Sequence, residues 1–277
     1  MKATAEIHPY EYARDVAVGA ALQAARLIRT RAGRLREADV QYKGVHDLVT
    51  NVDEASQALI TQVLREAYPD YAVLAEEGAD GAAPAEDADG HRWIIDPIDG
   101  TTNFTHGVSP YAVSIALQKG AAVVVGVVLE VAHEELFTAI RGGGAYRNGV
   151  RIRVSRRTTL GQSLLATGFP YRAFSHVESY LEVFRRFMQQ TRGVRRFGSA
   201  SIDLAYVAWG RFDGFFETGL NAWDVAAGAL LIEEAGGRVT DYRNAPNPLF
   251  KKQILASNGL LHDAMLGVLA PMREVRI

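Results

Sequence analysis

The sequence predicts an α/β protein of stacked helix and sheet layers, and three observations carry that prediction. Segments with apolar residues at helical spacing open the chain, three β-branched runs follow one another from Tyr111 to Ile140, and helix-like and strand-like segments alternate after Val150. A length of 277 residues can bury a large core, and one domain over 1–277 is expected, with two halves meeting near 150–162.

The elements follow in order. Tyr10 to Ala32 places Val16, Ala20, Leu22, Ala25 and Leu27 at near-helical spacing, and Gly33 suits the exit. A second helix is expected over Asp53 to Ala67, with Leu59, Ile60, Val63 and Leu64 inward. Tyr71 to Ala75 is a short apolar strand running into Glu76 and Glu77, and Gly78 to Gly90 reads as a solvated loop. Trp93 to Ile95 is a buried strand ending on Asp96. The runs Tyr111 to Gln118, Ala121 to Val131 and Leu136 to Ile140 read as a meander, and Asn148-Gly149 as a tight turn. Beyond the midpoint the reading is strand Ser163 to Thr167, helix Val177 to Gln190, helix Ser199 to Ala208, strand Phe212 to Glu217, helix Ala222 to Ala235, and strands Arg238 to Thr240 and Ile254 to Ala256.

Composition narrows the function. The net charge of -2, from 30 basic and 32 acidic residues, gives no general pull toward nucleic acid or an acidic membrane. With no cysteine, disulfides, thiolate metal sites and thiol nucleophiles are excluded. Glu6, Glu11, Arg14 and Asp15 interrupt any signal-like apolar run, and Ala121 to Leu129 is too short to span a bilayer, so a cytoplasmic protein with no membrane contact is expected. Walker-type glycine loops, His-Glu-x-x-His and Gly-x-Ser-x-Gly are absent. Gly142-Gly143-Gly144 lacks a following lysine and reads as a hairpin connection, while Arg151 to Arg157 and Arg195-Arg196 read as solvated edges.

The chemistry concentrates in Trp93-Ile-Ile-Asp-Pro-Ile-Asp-Gly-Thr-Thr-Asn-Phe104. A buried strand delivers Asp96, Pro97 is expected to stop the ladder, and Asp99 follows three residues on, so both carboxylates can face one point. Gly100 permits an unusual backbone angle, and Thr101 to Phe104 can open a short helix whose free N–H groups bind a phosphate oxygen. Two carboxylates beside an anion cradle repel a bare phosphate, and a hard divalent cation such as magnesium resolves that conflict. Glu76-Glu77 after a strand and Asp224 at a helix start are further acids in comparable settings. Each alone also reads as a solvated pair, a first-turn acid or a turn cap; their joint occurrence points to a metal site.

These residues resemble the inositol monophosphatase family. Trp93 to Phe104 resembles its first signature and Trp223-Asp224-Val-Ala-Ala-Gly228 its second; Lys43, Asp47 to Asp53, Glu76-Glu77, Gly198-Ser199-Ala200 and Glu217 match in order. The resemblance implies an α+β sugar-phosphatase-type fold, a layered α/β/α/β/α sandwich, a homodimer, and two or three magnesium ions per site with lithium inhibition. It implies Glu76, Asp96 and the Ile98 carbonyl on a first ion, Asp96, Asp99 and Asp224 on a second, and Glu76 on a weaker third. Thr101, assisted by Asp53, would orient water; Gly100 and Thr101 would bind phosphate; Asp99, Ala200 and Glu217 would contact polyol hydroxyls. The expected substrate is a small phosphorylated polyol or sugar, first inositol monophosphate, with fructose 1,6-bisphosphate or histidinol phosphate as alternatives. Arg172 and Arg196 are surface or dimer-contact candidates that can also reach a second phosphate. One bacterial branch associates with the transcription machinery, which keeps a protein-binding role open.

Overall fold

The structure, a computed structural model, describes residues 8–44, 47–78, 90–170 and 174–275; the side chains of Glu37 and of 42–47 lie outside that description. So do Arg172 and most of the loop expected over Gly78 to Gly90. In chain order the elements are α1 (Glu11–Arg31), β1 (Val40–Gly44), β2 (Asp47–Thr50), α2 (Asn51–Ala67), β3 (Ala72–Ala75), β4 (His91–Asp99) and α3 (Thr101–Thr105). Then come β5 (Ala112–Lys119), β6 (Ala122–Glu130), β7 (Glu135–Ile140), β8 (Gly144–Arg147), β9 (Val150–Arg151), β10 (Leu164–Thr167), α4 (Val177–Gln190) and β11 (Gly193–Arg195). The chain continues with α5 (Ala200–Ala208), β12 (Gly214–Thr218), α6 (Ala222–Glu234), β13 (Arg238–Thr240), β14 (Gln253–Ser257) and α7 (His262–Val268).

Strands β3 to β9 form a seven-stranded sheet in sequence order, and a five-stranded sheet runs β11-β10-β12-β14-β13. Strand alternation explains how helices layer around them. On β4 and β5, Trp93, Ile95, Val113, Ile115 and Leu117 face the core shared with α1 and α2, whereas Ile94, Ala112 and Ala116 face the core shared with α5 and α6. On the smaller sheet, Ala166, Phe215 and Ala256 face that same central core, while Leu165, Phe216 and Leu255 face α4 and α7. The result is an α/β/α/β/α sandwich. Sheets covered on both faces explain why the strands read as continuous apolar runs, and each large side chain fully buried there contributes about 1.5–3 kcal/mol relative to exposure.

The central helices sit unusually close. A Cβ at Gly126 would fall 2.8 Å from the Ala227 carbonyl oxygen, and one at Gly228 would fall 2.5 Å from the Leu204 Cβ. Gly126 therefore lets α6 rest on β6, and Gly228 lets α6 cross α5.

Two sequence expectations shift. The inward face of α1 is Ala13, Ala17, Ala20, Ala21, Ala24, Ala25 and Ile28, whereas Leu22 is exposed, because small side chains let the helix approach the sheet. Pro97 does not end the ladder: β4 continues to Asp99, with an irregularity between Asp96 and Asp99 in its pairing with β5. The glycine run sits in the β7–β8 hairpin, and Asn148 and Gly149 both adopt positive φ (48° and 78°), the turn that joins β8 and β9. No helix among the described residues is long and apolar enough to cross a membrane.

Candidate active site

The irregularity in β4 arranges the acids. Asp96 pairs with Ser114 and Asp99 with Ala112, so three steps on β4 match two on β5. Ser114 and Ala112 share one face by strand alternation, and Ser114 donates to the Trp223 carbonyl of α6. The extra residue thus brings Asp96 and Asp99 to the same side, which a regular strand would not do for positions three apart.

Asp224 comes to the same place from α6. Its carboxylate accepts the Asn221 backbone N–H at 2.6 Å, so the acid that caps the helix is also held at the cluster. Oxygens of Asp96, Asp99 and Asp224 all lie within 4.8 Å of one another. Glu76 follows β3, its N–H donating to the Ile95 carbonyl at 3.2 Å, and lines the same cavity. Glu77 turns toward α2, where its N–H meets Gln57 Oε1 at 2.8 Å.

Asp53 sits on the first turn of α2, fully buried, and completes a capping box with Thr50. The Thr101 hydroxyl lies 3.0 Å from both Asp53 Oδ1 and the Ile98 carbonyl. Gly100 adopts φ 95°, and a Cβ there would meet the Gly198 and Pro110 carbonyl oxygens at 3.1 and 3.2 Å. Only glycine makes this turn and brings the chain so near 198–199.

Asp99 is gripped by the start of α5: Ser199 Oγ and the Ser201 N–H each donate to Oδ2 at 2.7 Å, the Ala200 N–H donates to Oδ1 at 3.3 Å, and Ser201 Oγ adds a further bond. Burial raises the Asp99 carboxyl, and these donors oppose that rise. Burial also pushes Asp96 well above the carboxylate range, reinforced by the charges of Glu76, Asp99 and Asp224. Asp53 is pushed up to about 6 by burial, against hydrogen bonds from Thr50 and Thr101. A cluster so reluctant to be multiply charged has the donor set of a hard-cation site: carboxylate oxygens, a carbonyl, no sulfur.

A cavity of about 810 Å³ opens over this cluster. Glu76, Asp96, Ile98, Asp99, Gly100, Thr101, Ala200, Glu217 and Asp224 line it, whereas Asp53 reaches it through Thr101 and Glu77 does not line it. Ala200 and Glu217 belong to its wall. Gly168 leaves room for Glu217, since a Cβ there would fall 1.9 Å from its Oε1. Arg196 also borders the cavity, exposed, with its guanidinium 5.5 Å from the Phe169 ring centroid. Sequence reasoning missed Thr50, Ser199 and Ser201 as donors, and His176, Asp203 and Lys252 as lining groups. For Asp203 a signal existed: it is the sole charged residue in the apolar helix 200–208.

A model of the inositol monophosphatase family matches residues 10–274. The chain is 46% identical over 259 residues to a Pseudomonas aeruginosa protein named Nus factor SuhB, covering 93% of this chain and 95% of that one. It is 44% identical over 252 residues to an inositol-1-monophosphatase of Mesorhizobium japonicum, covering 91% and 94%. Among solved structures it resembles the extragenic suppressor protein suhB from Bartonella henselae, with TM-score 0.88 and 40% identity over 96% of this chain and all of that one.

Proposed function

This chain belongs to the inositol monophosphatase family, and from that premise we propose that it hydrolyses the phosphate monoester of a small polyol with magnesium, inositol monophosphate being the first candidate. The observation that carries the reading is the convergence of Asp96, Asp99 and Asp224 within 4.8 Å beneath a cavity that Glu76, Gly100 and Thr101 also line.

In this reading Glu76, Asp96 and the Ile98 carbonyl hold one magnesium ion, Asp96, Asp99 and Asp224 a second, and Glu76 helps with a weaker third. When bound, magnesium supplies positive charge that offsets the phosphate and makes water more acidic. The chain's own groups do the rest. The Thr101 hydroxyl donates to Asp53 and offers its lone pairs to the attacking water, so that water is oriented and its proton has a path toward a carboxylate whose affinity for protons is already raised. The Gly100 and Thr101 N–H groups bind the phosphate, and Asp99, Ala200 and Glu217 receive the hydroxyls of the leaving polyol. No side chain needs to become phosphorylated. A homodimer, lithium inhibition, a cytoplasmic location and a single domain with halves meeting near 150–162 belong to the same proposal.

The test is phosphate release from inositol 1-phosphate, fructose 1,6-bisphosphate, histidinol phosphate and a nucleotide 3′-phosphate, with magnesium and with excess chelator. Inositol 1-phosphate should be the preferred substrate, and the chelator should leave only trace turnover. Full turnover in chelator, or no release from any of the four, would sink the reading. The name of the P. aeruginosa relative supports a second role as a transcription-associated partner. A pull-down from the source cell's extract that recovers no polymerase or antitermination factor would remove that role.

A further inference from the structure

The wall of the cavity around Glu217 contains a second buried carboxyl with no assigned role. Asp203 is 1% exposed and lines the cavity, yet no hydrogen-bond donor among the described residues reaches its Oδ1. A buried polar atom left without a partner is costly and uncommon in natural proteins, and it calls for a reason. Its surroundings supply one. Asp203 lies on α5 one turn beyond Ser199, the residue whose hydroxyl holds Asp99, and its own N–H donates to the Ser199 carbonyl at 3.0 Å. That places it about 3–6 Å further along the helix axis than the residues whose donors grip Asp99. Burial raises the Asp203 carboxyl well above the carboxylate range, the charges of Glu217 and Asp99 add to that rise, and Arg196 at the cavity edge opposes it. The Glu217 carboxylate occupies the space a side chain at 168 would fill, so the glycine there leaves it its place at this wall.

We propose that Asp203 is a further specificity-determining residue: together with Glu217 it forms a paired-carboxyl wall that receives two or more neighbouring hydroxyls of the leaving group. The inference rests on the phosphatase reading above and deepens it, because a wall of this kind favours leaving groups with adjacent hydroxyls over those carrying one hydroxyl or none. Oδ1 itself has almost no surface open to water, so the carboxyl must turn toward the cavity for a ligand hydroxyl to satisfy it. The stability of the ligand-free chain is the discriminating readout. A carboxyl that serves the fold would have protein partners, and replacing it by an amide would lower the melting temperature; a carboxyl kept for a ligand costs the free protein stability, and replacing it would not.

The experiment compares wild type, Asp203→Asn and Asp203→Ala with magnesium, using inositol 1-phosphate and 4-nitrophenyl phosphate, beside a thermal melt without substrate. The ratio of kcat/KM for the inositol ester to that for the aryl ester should fall about ten- to hundredfold in Asp203→Ala, mainly through KM for the inositol ester. Asp203→Asn should melt at or above the wild-type temperature. A ratio within about twofold of wild type overturns the inference, as does a drop of more than about 5 °C in Asp203→Asn, which would make the carboxyl structural. Wild type that hydrolyses neither ester sinks the phosphatase reading and this inference with it; wild type active on both, with equal losses in the variant, removes Asp203 alone.

Discussion

Asp99 and Asp203 border one cavity, and the fold treats them in contrary ways. Asp99 is met by hydroxyl and backbone donors from Ser199, Ala200 and Ser201. Asp203, further along the same helix, has a buried oxygen that no donor among the described residues reaches. The same division runs through the cavity: Asp53, Asp96 and Asp224 each accept a backbone N–H within 3.1 Å, whereas on the Glu217 side His176 Nδ1 is also buried with no partner among the described residues. In the proposed reading the phosphate end is fixed in advance by the protein, and the far end keeps hydrogen-bonding capacity for a ligand. Damage to the first region should cost chemistry, and damage to the second should cost choice of substrate.

The largest expected effect is at the fixed end. Asp224→Asn should nearly abolish turnover, a loss of several kcal/mol of transition-state stabilisation, while the fold survives because the amide can still accept the Asn221 N–H at a cost of about 1 kcal/mol or less. Turnover at saturating magnesium beside a thermal melt checks this; near-normal turnover would erase the division. Glu217→Ala probes the other end. It should remove about 1.5–3 kcal/mol from reaction with inositol 1-phosphate and much less from an aryl phosphate lacking the hydroxyls, and equal losses on both would refute the assignment.

A third prediction contrasts two buried histidines. Unlike His176, His262 has both ring nitrogens satisfied, 2.9 Å from Thr240 Oγ1 and 2.9 Å from Ser257 Oγ. Burial lowers its pKa from 6.5 to about 4. The folded state therefore favours the neutral ring, so its contribution is fully present above about pH 6.5 and is lost as pH falls toward 4. At pH 5 that loss amounts to about 2 kcal/mol. Chemical denaturation of wild type and His262→Gln at pH 7 and pH 5 should show the smaller acid loss in the variant, and identical losses would contradict it. The smallest effect is expected at Ser201→Ala, which removes one of several donors to Asp99. About 1 kcal/mol of stability and less than about tenfold in turnover should go, with magnesium affinity weakened in a metal titration.

Much of this was legible in the sequence. The acids stand at strand ends and a helix start, positions that apolar patterning locates well, so Asp96, Asp99, Asp224 and Glu76 could be brought together before any fold was seen. The layers were legible because strands covered on both faces carry unbroken apolar runs. The short pairs β1–β2 and β8–β9, the edge strand β11 and helix α7 were missed, since a few residues give too little periodicity to separate strand from loop or a two-turn helix from its surroundings. The face of α1 was misplaced because alanine carries almost no pattern signal, although its small size is what lets that helix pack closely. Ser199 and Ser201 were hidden for another reason: which acid a serine holds depends on contacts some hundred residues apart along the chain, whereas Asp203 showed only as a lone charge in an apolar helix.

The extra residue in β4 also bears on which changes of length the chain can tolerate. Between Asp96 and Asp99 the count of residues, as well as their kind, sets the direction of each side chain. Removing Pro97 would leave the two acids two positions apart, on one face of a regular ladder, but it would abolish the irregularity that leaves Ile98 lining the cavity beside them. Substitutions in this stretch can be gradual in their effect, but insertions and deletions cannot. Sequence change should therefore proceed here only by exchange of side chains, while the loops that join the strands remain free to grow or shrink.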